Sequence, residues 1–184
     1  AHYWNPDKTR FWSDSGIDLV IDRREGYLLW DMDGRRLIDV HLNGSANATR
    51  AVWDVMREAK YGRILMTSSS SGLFGNFGQA NYGAAKLGIA GLTRTLAIEG
   101  VKHGIKVNTL APTAGTRMTQ DIFPEAVFDL FTPESVAPAA LFLVSEDAPS
   151  NVIVGAGAGV FQIVNLALTQ GVRLQGDDLS PEGI

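Results

Sequence analysis

Gly62-Arg63-Ile64-Leu65-Met66-Thr67-Ser68-Ser69, running through a serine- and glycine-rich stretch into Asn81-Tyr82-Gly83-Ala84-Ala85-Lys86, decides the reading of this sequence. Ile64-Leu65-Met66 is a short, continuous apolar run, the pattern of a buried strand. Ser68–Gly78 carries turn residues and is expected to be a loop, with Ser68, Ser70 and Ser71 as turn residues. From about Asn81 to Glu99, Leu87, Leu92 and Leu96 recur on one side of a helix. Its other positions are small: Gly83, Ala84, Ala85, Gly88, Ala90 and Gly91. The glycines among them cost helix propensity, but small residues let a second backbone come close.

The same alternation continues in both directions. Downstream, Ile105–Leu110 reads as a strand, Pro112–Thr119 as a loop, and Thr132-Pro133-Glu134 opens a helix with proline at its first position. Val152–Val160 and Phe161–Leu168 are late apolar segments. Upstream, Ser45 is positioned to cap a helix reaching about Lys60, with Val52, Val55, Met56 and Ala59 on one face and Gly62 ending it. Strand and helix alternating over residues 45–160 predict an α/β unit built on a parallel sheet with flanking helices. Residues 1–34 differ, since they hold Trp4, Trp12 and Trp30 of the four tryptophans. Tyr27-Leu28-Leu29-Trp30, Asp33-Gly34 and the alternating Arg36–Leu42 read as a β-hairpin.

Composition removes whole classes of function. There is no cysteine, so disulfide scaffolds, thiol nucleophiles and cysteine zinc sites are excluded. His2, His41 and His103 are the three histidines and are too scattered for a metal motif, so no metal is expected. A net charge of -4 lacks the basic footprint of a nucleic-acid partner. The longest runs free of charged or polar residues, Val136–Val144 and Val152–Phe161, are far shorter than a membrane span of ~18 residues. With no signal-peptide core at Ala1–Pro6 and no peroxisomal address at Pro181–Ile184, the expectation is a soluble, cytoplasmic protein.

The chemistry centres on Tyr82 and Lys86. At i and i+4 of a helix they share one face, roughly 6 Å apart. A free tyrosine, with a pKa near ~10, is a poor base at neutral pH. A neighbouring ammonium favours its phenolate, which makes the pair a tunable general acid/base. With Ser69 upstream and Val107-Asn108-Thr109-Leu110-Ala111-Pro112 downstream, the whole arrangement resembles the short-chain dehydrogenase/reductase family. The resemblance implies that Tyr82 exchanges a proton with the substrate oxygen and that Ser69 hydrogen-bonds that oxygen. It implies that Lys86 holds the ribose of an NAD or NADP cofactor, with Tyr82 also in contact and Pro112, Thr113, Ala114 and Thr116 along the nicotinamide end. His41 stands 28 residues before Ser69, where many members carry asparagine. It is read as a relay residue of the site or, equally, as a packing residue. Val40-His41-Leu42-Asn43-Gly44-Ser45, Gly75–Tyr82 and Ala114–Thr119 are similar to the dehydrogenase part of multifunctional β-oxidation enzymes. That implies a hydroxy/oxo substrate of the 3-hydroxyacyl-CoA kind, and a homo-oligomer.

The glycine-rich dinucleotide turn should precede this half. Residues 1–61 hold only Gly16, Gly26, Gly34 and Gly44, so the fingerprint is absent there. Gly155-Ala156-Gly157-Ala158-Gly159 superficially fits the template, but Val160–Leu168 lacks the helical period that must follow it. Gly26–Asp39 instead resembles the start of class III aminotransferases. Residues 1–40 are therefore read as an aminotransferase-like hairpin segment, or as a divergent extension. Residues 41–184 are read as the C-terminal half of a Rossmann-like sheet that lacks its nucleotide-binding half. Arg36–Leu42 cannot be both strand and helix, and a helix from about residue 37 is preferred. The isolated chain is expected to be inactive and its cofactor binding doubtful. Two alternatives remain: a non-catalytic protein acting through the faces of Tyr82–Glu99 and Val136–Val144, and a pyridoxal-phosphate aminotransferase fragment. None of the five lysines, Lys8, Lys60, Lys86, Lys102 and Lys106, sits in a motif that would support the latter.

Overall fold

The computed structural model describes residues 21–25, 28–31, 36–38, 42–115 and 124–183. Its organising element is β5 (Ile105–Pro112), which is parallel to β4 (Gly62–Thr67) on one side and to β6 (Ile153–Gly157) on the other. A strand with neighbours at both edges and helices on both faces must be nearly apolar throughout. Ile105, Val107, Leu110 and Ala111 are accordingly buried. Side chains alternate between faces along a strand. Ile105 and Val107 pack with Met66, Ile89 and Ala97, joined by Trp53 and Met56 from α1 (Leu42–Ala59) and by Leu92 and Leu96 from α3 (Ala80–Gly100). Leu110 packs on the other face with Val136, Val154 and Ala156, and with Ala139 and Leu143 of α5 (Ala137–Val144).

Two polar residues of β5 are also buried, and each has found partners. Asn108 donates through Nδ2 to Leu143 O (3.1 Å) and Pro149 O (2.7 Å), and its Oδ1 accepts from Val152 N (3.1 Å). It therefore ties the end of α5 and the start of β6 to the central strand. Thr109 shares a 2.6 Å hydroxyl–hydroxyl hydrogen bond with Thr93 of α3. Gly100 lies close against β5, where an added Cβ would stand 2.7 Å from Ile105 O. Here a small residue of the helix does admit a second backbone.

The expected α/β architecture is present: four strands in the order β4-β5-β6-β7, flanked by helices. The sheet is mixed where a parallel one was expected, because β7 (Val160–Ile163) runs antiparallel to β6. Ala158 (φ 49°) and Gly159 (φ 74°) make the turn. Two consecutive positive φ values are what a tight hairpin requires, so the glycine run closes a hairpin and opens no helix.

The expected N-terminal hairpin is present as well. β2 (Leu28–Asp31) pairs antiparallel with β3 (Arg36–Ile38), Leu28 opposite Ile38 and Trp30 opposite Arg36. A further strand, β1 (Ile21–Glu25), pairs with the far edge of β2. A helix from residue 37 is incorrect, since Leu37 is engaged in the hairpin ladder opposite Leu29 and the helix starts at Leu42. Ser45 is consequently inside α1 and is not its cap; its carbonyl accepts from Thr49 Oγ1 (2.8 Å). The stretch Ser68–Gly78 is not wholly loop, because Ser69 caps a short helix, α2 (Ser70–Phe74). After β5 the described backbone reaches Gly115, and it resumes at Pro124 before α4 (Glu125–Phe128). Thr132 accepts from Ser135 N and begins the turn Pro133–Ser135 that leads into α5. Among the described residues, no helix is long and apolar enough to cross a membrane.

Replacing Asn108 by alanine strands two carbonyls and one N–H in a site with no exposure. Asn108→Ala is expected to cost on the order of 3 kcal/mol in a urea titration. A loss below ~0.5 kcal/mol would show that these groups find other partners.

Candidate functional site

Parallel strands bring their carboxyl ends to one side of a sheet, which is where sites form in open α/β folds. Thr67 is in register with Leu110, so the residues following β4 and β5 emerge together. Ser69 comes two residues after β4 and Thr113 directly after β5. Ser69 has extended backbone (φ −161°, ψ 151°), and its Oγ accepts from Ser71 N (3.3 Å) as the cap of α2. A hydroxyl that accepts keeps its own proton to donate elsewhere.

Tyr82 is in the first turn of α3 and Lys86 one turn later. Lys86 Nζ lies 5.7 Å from the centroid of the Tyr82 ring, within cation–π range. Only 8% of Lys86 is exposed, and Nζ donates to Thr67 O at 2.9 Å. Burial holds its pKa below the usual lysine value. An ammonium has three donors, so two remain beyond the bond to Thr67.

Glycines on both α2 and α3 explain how serine and tyrosine come onto neighbouring elements. A Cβ on Gly72 would stand 2.6 Å from Lys86 Cβ and 2.9 Å from Leu87 N. One on Gly83 would stand 3.2 Å from Ser71 O. α2 therefore lies directly on the turn that carries Tyr82 and Lys86. The sequence shows the small residues but not their partner, because α2 reads as loop.

Of the other assigned residues, Pro112 ends β5 opposite Ala156, and Thr113 N donates to Ala156 O (2.8 Å). Ala114 follows at the same sheet end and packs against the Leu110 cluster. His41 and Thr116 lie outside the described residues. Sequence reasoning passed over Ser68 as a turn residue. It is 2% exposed, and its Oγ donates to Lys86 O at 2.7 Å. Strand parity could have found it, since residues 64, 66 and 68 share a face and that face carries α3.

The described residues offer donors that could serve one end of a nicotinamide dinucleotide, the ribose. Lys86 and Tyr82 can hold ribose hydroxyls. A pyrophosphate needs open backbone N–H groups at a glycine turn before a helix. Among the described residues the glycine run is a hairpin, and the Cβ position of Gly157 is already blocked by Thr113 O at 2.7 Å.

A family model described as short chain dehydrogenase matches residues 25–126. The chain is 49% identical over 158 residues to a peroxisomal multifunctional enzyme type 2 of Mus musculus, covering 84% of this chain and 21% of that protein. It is 51% identical over 131 residues to a putative short-chain type dehydrogenase/reductase of Mycobacterium tuberculosis, covering 70% and 44%. The solved structure of full-length peroxisomal multifunctional enzyme type 2 from Drosophila melanogaster superposes with a TM-score of 0.67 at 38% identity, covering 74% of this chain and 25% of that one. The chain thus spans less than half of each of these proteins. The aminotransferase resemblance is not supported. The family model already covers residues 25–40, which contain the Tyr27–Asp39 pattern. An Asp-Gly pair between strand-like runs is a common hairpin sequence signal, so it points to a local structure and not to a family.

Because burial disfavours the ammonium, folded Lys86 releases its proton at lower pH than unfolded Lys86 does. Between the folded value and the usual 10.5 the unfolded chain binds more protons, so stability rises with pH through that window. Relative to Lys86→Met, which does not titrate, the wild-type chain is expected to gain stability in urea melts as pH rises from neutrality toward 10.5. A constant difference between the two across that range would contradict the burial of the charge.

Proposed function

The chain belongs to the short-chain dehydrogenase family, and on that premise we propose that it carries the proton-transferring half of an oxidoreductase that interconverts a hydroxyl and a carbonyl group. The substrate class we propose is a 3-hydroxyacyl-CoA and its 3-oxo partner, following the resemblance of Val40–Ser45 and Gly75–Tyr82 to multifunctional β-oxidation enzymes. The observation that carries the reading is the pairing of Tyr82 and Lys86 on one turn of α3, with Lys86 Nζ 5.7 Å from the tyrosine ring. In the oxidative direction the phenol oxygen of Tyr82 takes the proton of the substrate hydroxyl; in the reductive direction it gives one back. Ser69 donates its O–H to the same substrate oxygen and bears part of the charge that develops there. Lys86 keeps positive charge beside the ring while the phenol proton is away. NAD or NADP, when bound, supplies the hydride chemistry. Tyr82 and Lys86 would hold its ribose, with Pro112, Thr113 and Ala114 along the nicotinamide. The described residues make no pyrophosphate cradle.

A second reading rests on what stays uncovered. Ile98 and Leu87 on α3 are 71% and 47% exposed, and Leu141 and Phe142 on α5 are 70% and 53% exposed. These faces would serve contacts between subunits, with or without catalysis.

Purified chain given a 3-hydroxyacyl-CoA and NAD is expected to form no detectable NADH. Turnover by the chain alone would show that the cofactor is fully provided for. Residues 41–184 fused behind the nucleotide-binding half of the mycobacterial relative are expected to restore NADH formation. In that fusion Tyr82→Phe should lower the rate by ~10²-fold or more. An equally active Tyr82→Phe fusion would remove Tyr82 from the mechanism.

A further inference from the structure

Ser68 has no part in the proton transfer described above, yet it is one of the few polar residues that are almost completely buried. Its backbone N–H donates to Leu110 O at 2.8 Å, which extends the β4–β5 ladder past Thr67 and fixes Ser68 to the central strand. Its Oγ donates to Lys86 O at 2.7 Å. The carbonyl immediately before it, that of Thr67, accepts from Lys86 Nζ at 2.9 Å. Two consecutive residues at one strand end thus hold both ends of a single residue of α3, its main-chain carbonyl and its side-chain ammonium. Gly72 closes the third side, with no room for a Cβ against Lys86 Cβ.

This arrangement is more than the fold requires. A carbonyl inside a helix already serves the helical ladder with one lone pair, so α3 does not need the Ser68 bond to be satisfied. An alanine at position 68 would bury no hydroxyl in need of a partner. What the bond supplies is position. A lysine side chain is a flexible four-carbon stem, and the helix alone does not determine where its ammonium stands.

We infer that Ser68 is a positioning residue, whose hydroxyl clamps the Lys86 turn of α3 to the end of β4 and so holds the Lys86 ammonium between Thr67 and the Tyr82 ring. The inference rests on the role proposed for the Tyr82–Lys86 pair. Its test reads Lys86 directly and needs no turnover, so it can fail while that role stands, and the reverse.

The test is carbon-13 NMR of the full chain labelled at the lysine ε-carbons. Five lysines give five signals, and Lys86 is the one lost in Lys86→Met. Ser68→Ala is expected to move the Lys86 signal and to raise its titration midpoint toward the usual lysine value. Ser68→Thr, which keeps the hydroxyl, is expected to restore both. Thr93→Val removes a hydroxyl contact that α3 makes elsewhere, with β5. It is expected to lower the melting temperature and leave the Lys86 signal in place. Should Ser68→Ala not fold, Ser68→Cys, with its weaker donor, is read in the same way. A Lys86 signal and titration unchanged by loss of the hydroxyl would overturn the inference, and so would an equal displacement in Thr93→Val.

Discussion

The constraint on which everything else depends is the enclosure of β5, six of whose eight residues are buried. A strand with neighbours at both edges and helices on both faces exposes little of its backbone, so its peptide groups must find partners within the protein and its side chains must suit the face they meet. Ile105, Val107 and Leu110 meet that demand by being apolar. Asn108 and Thr109 meet it by directed hydrogen bonds, and those bonds attach α5, β6 and α3 to the strand. Parallel pairing with β4 then brings the residues after both strands to one end of the sheet. The site depends on that coincidence of strand ends, since Ser69 and Thr113 have no reason in sequence to be neighbours.

The second determinant is close approach. α3 carries the two residues of the proposed acid/base pair, and its small side chains decide what can touch it. Gly100 brings its far end onto Ile105, and Gly83 lets the backbone at Ser71 come near its first turn. Gly72, on the facing helix, does the same from the other side. Among the described residues, Gly72, Gly83 and Gly100 serve close packing and Gly159 serves a hairpin turn. This explains why a glycine-rich segment at residues 155–159 is no phosphate cradle: its positive φ angles reverse the chain into β7.

Much of the fold was legible in the sequence, for a local reason. Apolar runs of strand length, a helix-length stretch with leucines on one side and an Asp-Gly turn are all short-range patterns. They foretold β4, α3, β5 and the β2–β3 hairpin. The errors fall where a longer-range contact overrides the local pattern. Ser45 looks like a cap, but the helix gains a turn before it. The serine run looks like loop, but Ser69 bonds Ser71 N and starts α2 against α3. The N-terminal pattern was misread at the level of kinship, since a hairpin's turn grammar is shared by unrelated families.

Sequence by itself determined the residue types and their spacing: a tyrosine and a lysine one helical turn apart, a serine just past a strand, and no cysteine or clustered histidine to support other chemistry. Those follow from helical and strand periodicity, which are properties of neighbouring residues. Only the tertiary structure decided that Lys86 is buried, that its ammonium rests on Thr67 O, and that the Ser68 hydroxyl is bonded to its carbonyl. Burial and hydrogen-bond partners depend on which distant segments meet, here a strand end and a helix turn about 18 residues apart. Such a meeting is set by the packing of glycine faces and the register of β4 on β5, neither of which is written in any one stretch of the chain.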